Sequence, residues 1–281
     1  MSSLKVDNLK LKNYMINIDF SDYKTTAVWA ADKKMIDSFF NIISGINKNR
    51  NTCFYNGKDI YDNKEYFQSR LYFDDKKQYL STLKLQYLQE RFRQKYNIKF
   101  NKEEFKKVSE TLDIRGETEL TNVYRYTKTG NTFVNYALTC SLYKPNIIIN
   151  NPTINLTIQS DIKYIVNGLT DKNKYNMAVL GPDNLAVFAN KVDKILIFSD
   201  YDNRVIMADN KDSLIVFNGP IDSAWHFENI IYQNNDKTIV LNDLPRPELK
   251  KIQKNTNCEV ISIYHIDYYV SGTKQWKKEN F

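Results

Sequence analysis

Residues 144–157 read KPNIIINNPTINLT. Three consecutive isoleucines, Ile147, Ile148 and Ile149, stand between Pro145 and Pro152, and such a run reads as a short strand buried on both faces. In α/β proteins a strand of this kind often brings a pair of carboxylates to a site at its C-terminal end. Here two amides, Asn150 and Asn151, occupy that place. An amide nearly matches a carboxylate in shape, but it carries no charge and cannot take a proton from water. A second candidate site follows residues 25–29. Lys33 and Lys34, then Ile36, Asp37 and Ser38, lie where a strand passes through a short loop into a helix. That geometry holds an anion when the loop is glycine-rich.

The elements that would position these residues are legible in part. Residues 3–11 and 13–20 read as strands, and 25–29 as a buried strand followed by a polar loop over 30–34. Met35, Ile36, Phe39, Phe40, Ile42 and Ile43 then fall at helical spacing, and Gly45 stops the helix. Residues 52–60 predict a hairpin turning at Asn56-Gly57. Residues 80–96 and 101–112 predict two amphipathic helices, and 129–143 a third that leads into the isoleucine strand. Beyond it, 161–169 reads as helix, 175–181 as strand, 184–192 as helix, and 194–200 and 204–209 as strands. The alternation predicts an α/β sheet carrying a helical insertion at about 76–143. The pattern restarts near residue 220 with strand 238–244, helix 246–255 and strand 258–264. Two units are expected: 1–220, and a small α+β appendage at 221–281.

The bulk composition narrows the classes. The 281 residues are 42% hydrophobic and 14% aromatic, enough to bury a sizeable core and unlike a disordered chain. The formal charge is +7, but Lys and Arg alternate with Asp and Glu, as in NKEEFKKVSE, which reads as solvated helix faces. No nucleic-acid partner is expected, because no basic stripe or aromatic-basic stacking motif is visible. Cys53, Cys140 and Cys258 are few, odd in number and far apart, which predicts a reduced compartment and no structural metal. No apolar run approaches the ~18 residues of a membrane span, so a soluble chain is expected.

The order of these parts resembles an ABC transporter ATPase over residues 4–218. NIISGI resembles the end of that family's P-loop helix, and YNGKDI its hairpin. NYALTCSLYKPNIIINNPTINL resembles the helix and Walker B strand, and GPDNLAVFANKVDKILIF the switch-histidine segment. SIYHIDYYVSG resembles the closing segment of ATPases from Gram-positive ABC-2-type exporters, with Asp267 its remaining acidic residue.

The resemblance implies an α/β, ABC ATPase-like P-loop sheet, and it also implies lost chemistry. The P-loop pattern falls on residues 30–38 with no glycine. Ile36 stands at the phosphate-binding lysine and Asp37 at the magnesium-binding hydroxyl, with Ser38 next to it. Asn150 falls at the magnesium-holding aspartate, Asn151 at the catalytic glutamate, Asp74 near the Q-loop glutamine and Asp183 at the switch histidine. The signature falls on Thr127, Lys128, Thr129 and Gly130. Loss of the phosphate cradle, metal ligand, base and switch together implies no hydrolysis and no bound cofactor.

The implied protein is a non-catalytic subunit that pairs with an active ABC ATPase subunit and a transmembrane permease subunit. It would lie in the cytoplasm at the inner face of the cell membrane and serve the export of a peptide or drug. Tyr79, Leu80, Leu83 and Tyr87 are the expected anchors for the permease. Two alternatives stay open: a stand-alone cytosolic binding or regulatory protein, and a weak ATPase using Lys33 or Lys34.

Overall fold

The computed structural model describes residues 3–74, 100–114, 127–221 and 227–271, together with residues 87, 90, 91, 93 and 94. Three sheets organise these residues. The first is antiparallel, in the order β2 (Tyr14–Asp19), β1 (Leu4–Leu11), β4 (Cys53–Tyr55), β5 (Lys58–Asp59). Its hairpin turns on Asn56 and Gly57, both at positive φ (51° and 76°). Asparagine and glycine are the residues that tolerate this turn.

The central sheet has six strands. Their order is β10 (Val205–Asp209), β9 (Lys194–Phe198), β3 (Thr25–Ala30), β8 (Met177–Gly181), β7 (Asn146–Asn150), β6 (Arg70–Asp74). All neighbours are parallel except β10, which returns antiparallel to β9. The isoleucine run shows why the sheet is covered twice. Ile147 and Ile149 enter the core on one face and Ile148 the core on the other, and none is more than 4% exposed. Ala27 and Trp29 alternate with Val28 and Ala30 in the same way along β3. Burying each such isoleucine contributes about 1.5–3 kcal/mol.

One face is covered by the helix α1 (Lys33–Ile43) and the first sheet. On α1, all six apolar residues at helical spacing are buried. It ends at Gly45, whose φ of +74° closes the helix. The other face is covered by α4 (Lys128–Leu142) and α5 (Gln159–Leu169). Ahead of these, α2 (Lys64–Ser69) leads into β6, and α3 (Lys102–Thr111) packs near α4.

The third sheet is antiparallel: β12 (Ile230–Gln233), β13 (Lys237–Leu241), β11 (Ser213–Asn218), β14 (Cys258–Ser262). Its β11 begins at residue 213, ahead of the expected start of the appendage. The helix α6 (Arg246–Asn255) buries Ile252 against this sheet. The short helix α7 (Ile266–Ser271) follows β14, and Ile263, Tyr264 and Ile266 pack into the main core.

Two expectations are corrected. The stretch 184–192 is not a helix of that length. It forms one 3-10 turn, Leu185–Phe188, capped by Asn184, and positive φ at Asn190 (59°) bars continuation. The loop expected over 30–34 is also shorter. Ala30 completes β3, and Lys33 already opens α1.

Candidate functional site

The central sheet gathers the ends of β3, β6, β7 and β8 on one side of α1. Only Ala31 and Asp32 separate β3 from α1. Asp32 has extended backbone (φ −79°, ψ 99°), and its Oδ1 accepts the amide N–H of Lys34 at 3.0 Å. This is N-cap chemistry, a carboxylate meeting the positive end of a helix. The Asp32 Oδ2 accepts from the Lys12 ammonium at 2.6 Å. That hydrogen bond holds the Asp32 carboxyl below the usual carboxylate range. An incoming phosphate would meet a carboxylate already seated at the helix end, with two residues of backbone to wrap around it.

Ile36, Asp37 and Ser38 on α1 are each taken up within the protein. Ile36 is 2% exposed and lies in the core shared with Phe39, Phe40 and Val179. The Ser38 hydroxyl donates back to the carbonyl of Lys34 at 2.8 Å. Asp37 points to the sheet, where its Oδ1 accepts from Asn150 Nδ2 at 2.7 Å.

The strand ends form a second pair. In the sheet register Asp74 lies beside Asn150, and Asn150 beside Gly181. Asn151 follows in the left-handed region (φ +54°), a conformation asparagine tolerates better than most residues. Its backbone N–H donates to the carbonyl of Gly181 at 2.8 Å, and its Nδ2 donates to Asp74 Oδ1 at 3.2 Å. The side-chain oxygen of the first amide, Asn150 Oδ1, is buried without a hydrogen-bond donor among the described residues. It lies over Gly181, where a Cβ would press into it well inside van der Waals contact. Each amide gives an N–H to a carboxylate on another element.

Lys33 makes the third junction. Its ammonium donates to Asp267 Oδ1 at 3.2 Å and to the carbonyl of Asp183 at 3.3 Å. The Asp183 side chain is exposed, so only its backbone takes part. Asp267 is carried by α7. Its Oδ1 also accepts from Trp29 Nε1 at 2.9 Å, and its Oδ2 accepts the N–H of Leu185 at 2.8 Å. Lys34 is exposed.

The structure therefore brings the residues singled out at the strand ends together in three sets: Asp37 with Asn150, Asp74 with Asn151, and Lys33 with Asp183. The signature positions stand apart. Thr127 caps α4 by accepting the N–H of Gly130 at 3.0 Å, so the helix opens at Lys128, one residue before the expected start. Lys128 is exposed, and Thr129 Oγ1 donates to the carbonyl of Asn155 at 2.8 Å. Among the described residues no hydrogen bond ties this turn directly to Asp37, Asn150 or Asn151. Of the expected permease anchors, Tyr87 is helical and 56% exposed. Tyr79, Leu80 and Leu83 lie outside the described residues.

Sequence reasoning passed over Asp32, Trp29 and Gly181. Asp32 ahead of Lys-Lys-Met-Ile is a legible cap signal. The roles of Trp29 and Gly181 depend on partners far away in the chain, and no local pattern gives them. Among the described residues, no group of three His, Cys, Asp or Glu side chains could hold a metal ion. None of the described helices is long and apolar enough to cross a membrane.

A mostly parallel sheet with a helix opening at the end of its central strand β3, an antiparallel sheet beside it, and a helical segment between β6 and β7 define the fold of the ATP-binding cassettes of ABC transporters. Solved structures agree. One described as a cobalt transport ATP-binding protein, CbiO-2, superposes with a TM-score of 0.60 at 13% identity, covering 86% of this chain and 93% of its own. The ATP-binding cassette MJ0796, solved as a dimer bound to ADP and phosphate, gives 0.57 at 14%, covering 74% and 99%. CbiO1 from Clostridium perfringens, described as part of the ABC transporter complex CbiONQ, gives 0.53 at 13%, covering 74% and 88%. No protein-family profile matches the chain, and no curated protein sequence does. The likeness is one of fold.

Proposed function

We propose that this chain is a non-catalytic ABC ATPase-like subunit of a membrane transporter. In this reading it pairs with an active ATPase subunit and a transmembrane permease subunit at the inner face of the cell membrane, in the export of a peptide or drug. The observation that carries it is the closed junction between β3 and α1 within a cassette fold. A magnesium nucleotide needs backbone N–H groups curled around phosphate, a lysine, a hydroxyl and carboxylates for the metal. The residues present do not suit that ligand. The loop is two residues long and ends in the capping carboxylate of Asp32. Ile36 is buried, Ser38 is turned back into its own helix, and Asn150 already holds Asp37. A weak ATPase using Lys33 would have to free that ammonium from Asp267 and Asp183.

The complexes named for similar proteins supply the partner half of the reading: CbiO1 is part of an assembly with other transporter components. Two measurements test the proposal together. Calorimetric titration of the purified chain with Mg·ATP should show no binding up to millimolar concentration. Expressed with its candidate permease and ATPase subunits, the chain should sediment with membranes and co-purify with both. Micromolar Mg·ATP affinity would defeat the first half, and a chain that stays in the supernatant with neither subunit would defeat the second.

A further inference from the structure

Among the described residues, three hydrogen-bond donors from two separate parts of the chain, Trp29 with Lys33 and Leu185, converge on one carboxylate. Trp29 Nε1 comes from the end of β3, Lys33 Nζ from the first turn of α1, and Leu185 N from the 3-10 turn after β8. The first two meet Asp267 Oδ1 at 2.9 and 3.2 Å, and the third meets Oδ2 at 2.8 Å. An indole N–H, an ammonium and a backbone N–H, set on both oxygens of a planar group, are what a receptor for a small carboxylate needs. Asp267 is 21% exposed at the side chain and Lys33 31%, so the pair lies below the surface with one side open.

We propose that Trp29, Lys33 and Leu185 form a carboxylate receptor and that Asp267 is its built-in ligand. The C-terminal unit thereby fixes the Leu185–Phe188 turn to the β3–α1 junction. The docking of α7 does not depend on this contact alone. Ile263 and Ile266 on the same segment are fully buried in the main core. Removal of the Asp267 carboxylate should therefore leave α7 in place and the receptor vacant, able to take a carboxylate from solution.

The test is chemical rescue with acetate as the probe, on the full chain. Asp267→Ala should melt below the wild type. Added sodium acetate should raise its melting temperature by at least about 2 °C over sodium chloride of equal ionic strength, through binding to the folded state. Hydrogen exchange at Leu185 N–H should be fast in Asp267→Ala and slow again with acetate. Wild type and the double variant Lys33→Met/Asp267→Ala should show no acetate-specific shift. If Asp267→Ala and the double variant respond equally, or neither responds, the receptor does not exist. Asp267→Asn guards against a folding failure, since it keeps the side-chain shape and one oxygen. In the wild type Lys33→Met should cost stability, and in the Asp267→Asn background that cost should fall at least about threefold. An undiminished cost would show that Lys33 acts elsewhere and overturn the proposal.

Discussion

Asn150 hands an amide N–H to the Asp37 carboxylate across 2.7 Å, tying the end of β7 to α1. Turning that donor into a carboxylate would set two acceptors of like charge at hydrogen-bond distance in a largely buried place. Asn150→Asp should lose about 2–4 kcal/mol of stability at pH 7. One carboxyl of the pair would have a folded-state pKa raised above its unfolded value. The penalty relative to wild type should therefore shrink as the pH falls toward 4 and be complete above the raised pKa. Urea unfolding of both proteins at pH 4 and pH 7 measures it. An equal penalty at both values would show that charge repulsion is not the cause.

Ile36→Lys should lower stability by about 2–4 kcal/mol, because an ammonium would enter the apolar space shared with Phe39, Phe40 and Val179. It should not gain Mg·ATP binding, since Ala31 and Asp32 supply no amide cradle. Thermal melting and calorimetric titration of the same preparation check both halves.

Gly181 is needed for lack of a side chain. A Cβ there would run into Asn150 Oδ1 and come within 3.1 Å of Ile36 Cγ2 and of Phe40 Cζ. Gly181→Ala should cost about 1–3 kcal/mol by overpacking. The combination of Gly181→Ala with Ile36→Ala should cost less than the sum of the two singles, because the second change removes the Ile36 Cγ2 methyl that crowds the new Cβ. Additive costs in denaturant unfolding would place the strain elsewhere.

These positions also mark what a reader of the bare sequence can and cannot see. The isoleucine strand, the Asn56-Gly57 turn and the Gly45 stop announce themselves through neighbours within a few residues. β6 does not. Arg70 and Asp74, at its two ends, are 4% and 1% exposed, yet charged residues read locally as surface. Arg70 is buried because its guanidinium lies over the rings of Tyr66 and Phe67, with centroid distances of 5.4 and 4.9 Å. At the candidate site the residue types were visible and the pairings were not. Asp267 meets Lys33 across 234 positions, and only the folded sheet brings them together.

Lys144 supplies a pH dependence. It is 2% exposed and donates to the carbonyl of Gln68, and burial pulls its ammonium down to about 8. Between that value and its ordinary value of 10.5 the unfolded chain binds the proton more readily, so this group makes stability rise with pH. The buried Cys53 thiol, pushed up to about 11, acts oppositely above its ordinary value of 9.0. The clean window is therefore pH 8 to 9. Lys144→Met should flatten the rise of wild-type stability across it, read from chemical unfolding at several pH values. An unchanged slope would assign the effect to another group.

Lys128 tests the proposed pairing with an active subunit. It is exposed on the first turn of α4, where the helix end adds partial positive charge. In a reconstituted heterodimer, Lys128→Glu should weaken nucleotide-dependent association at least ~10-fold, about 1.4 kcal/mol. Unchanged association, followed by light scattering or native mass measurement, would remove this turn from the interface.

The left-handed backbone of Asn151 bears on the history open to this chain. Asparagine accepts φ +54° with little strain, while most residues with longer side chains do not. A glutamate installed there would pay conformational strain and would also confront Asp74, which the amide now holds. Asn150→Asp would meet Asp37 in the same way, and neither step alone would supply a phosphate cradle between β3 and α1. Each first move toward hydrolysis lowers stability before any activity could reward it. On the proposed reading, a gain of hydrolysis would require several coordinated substitutions at once.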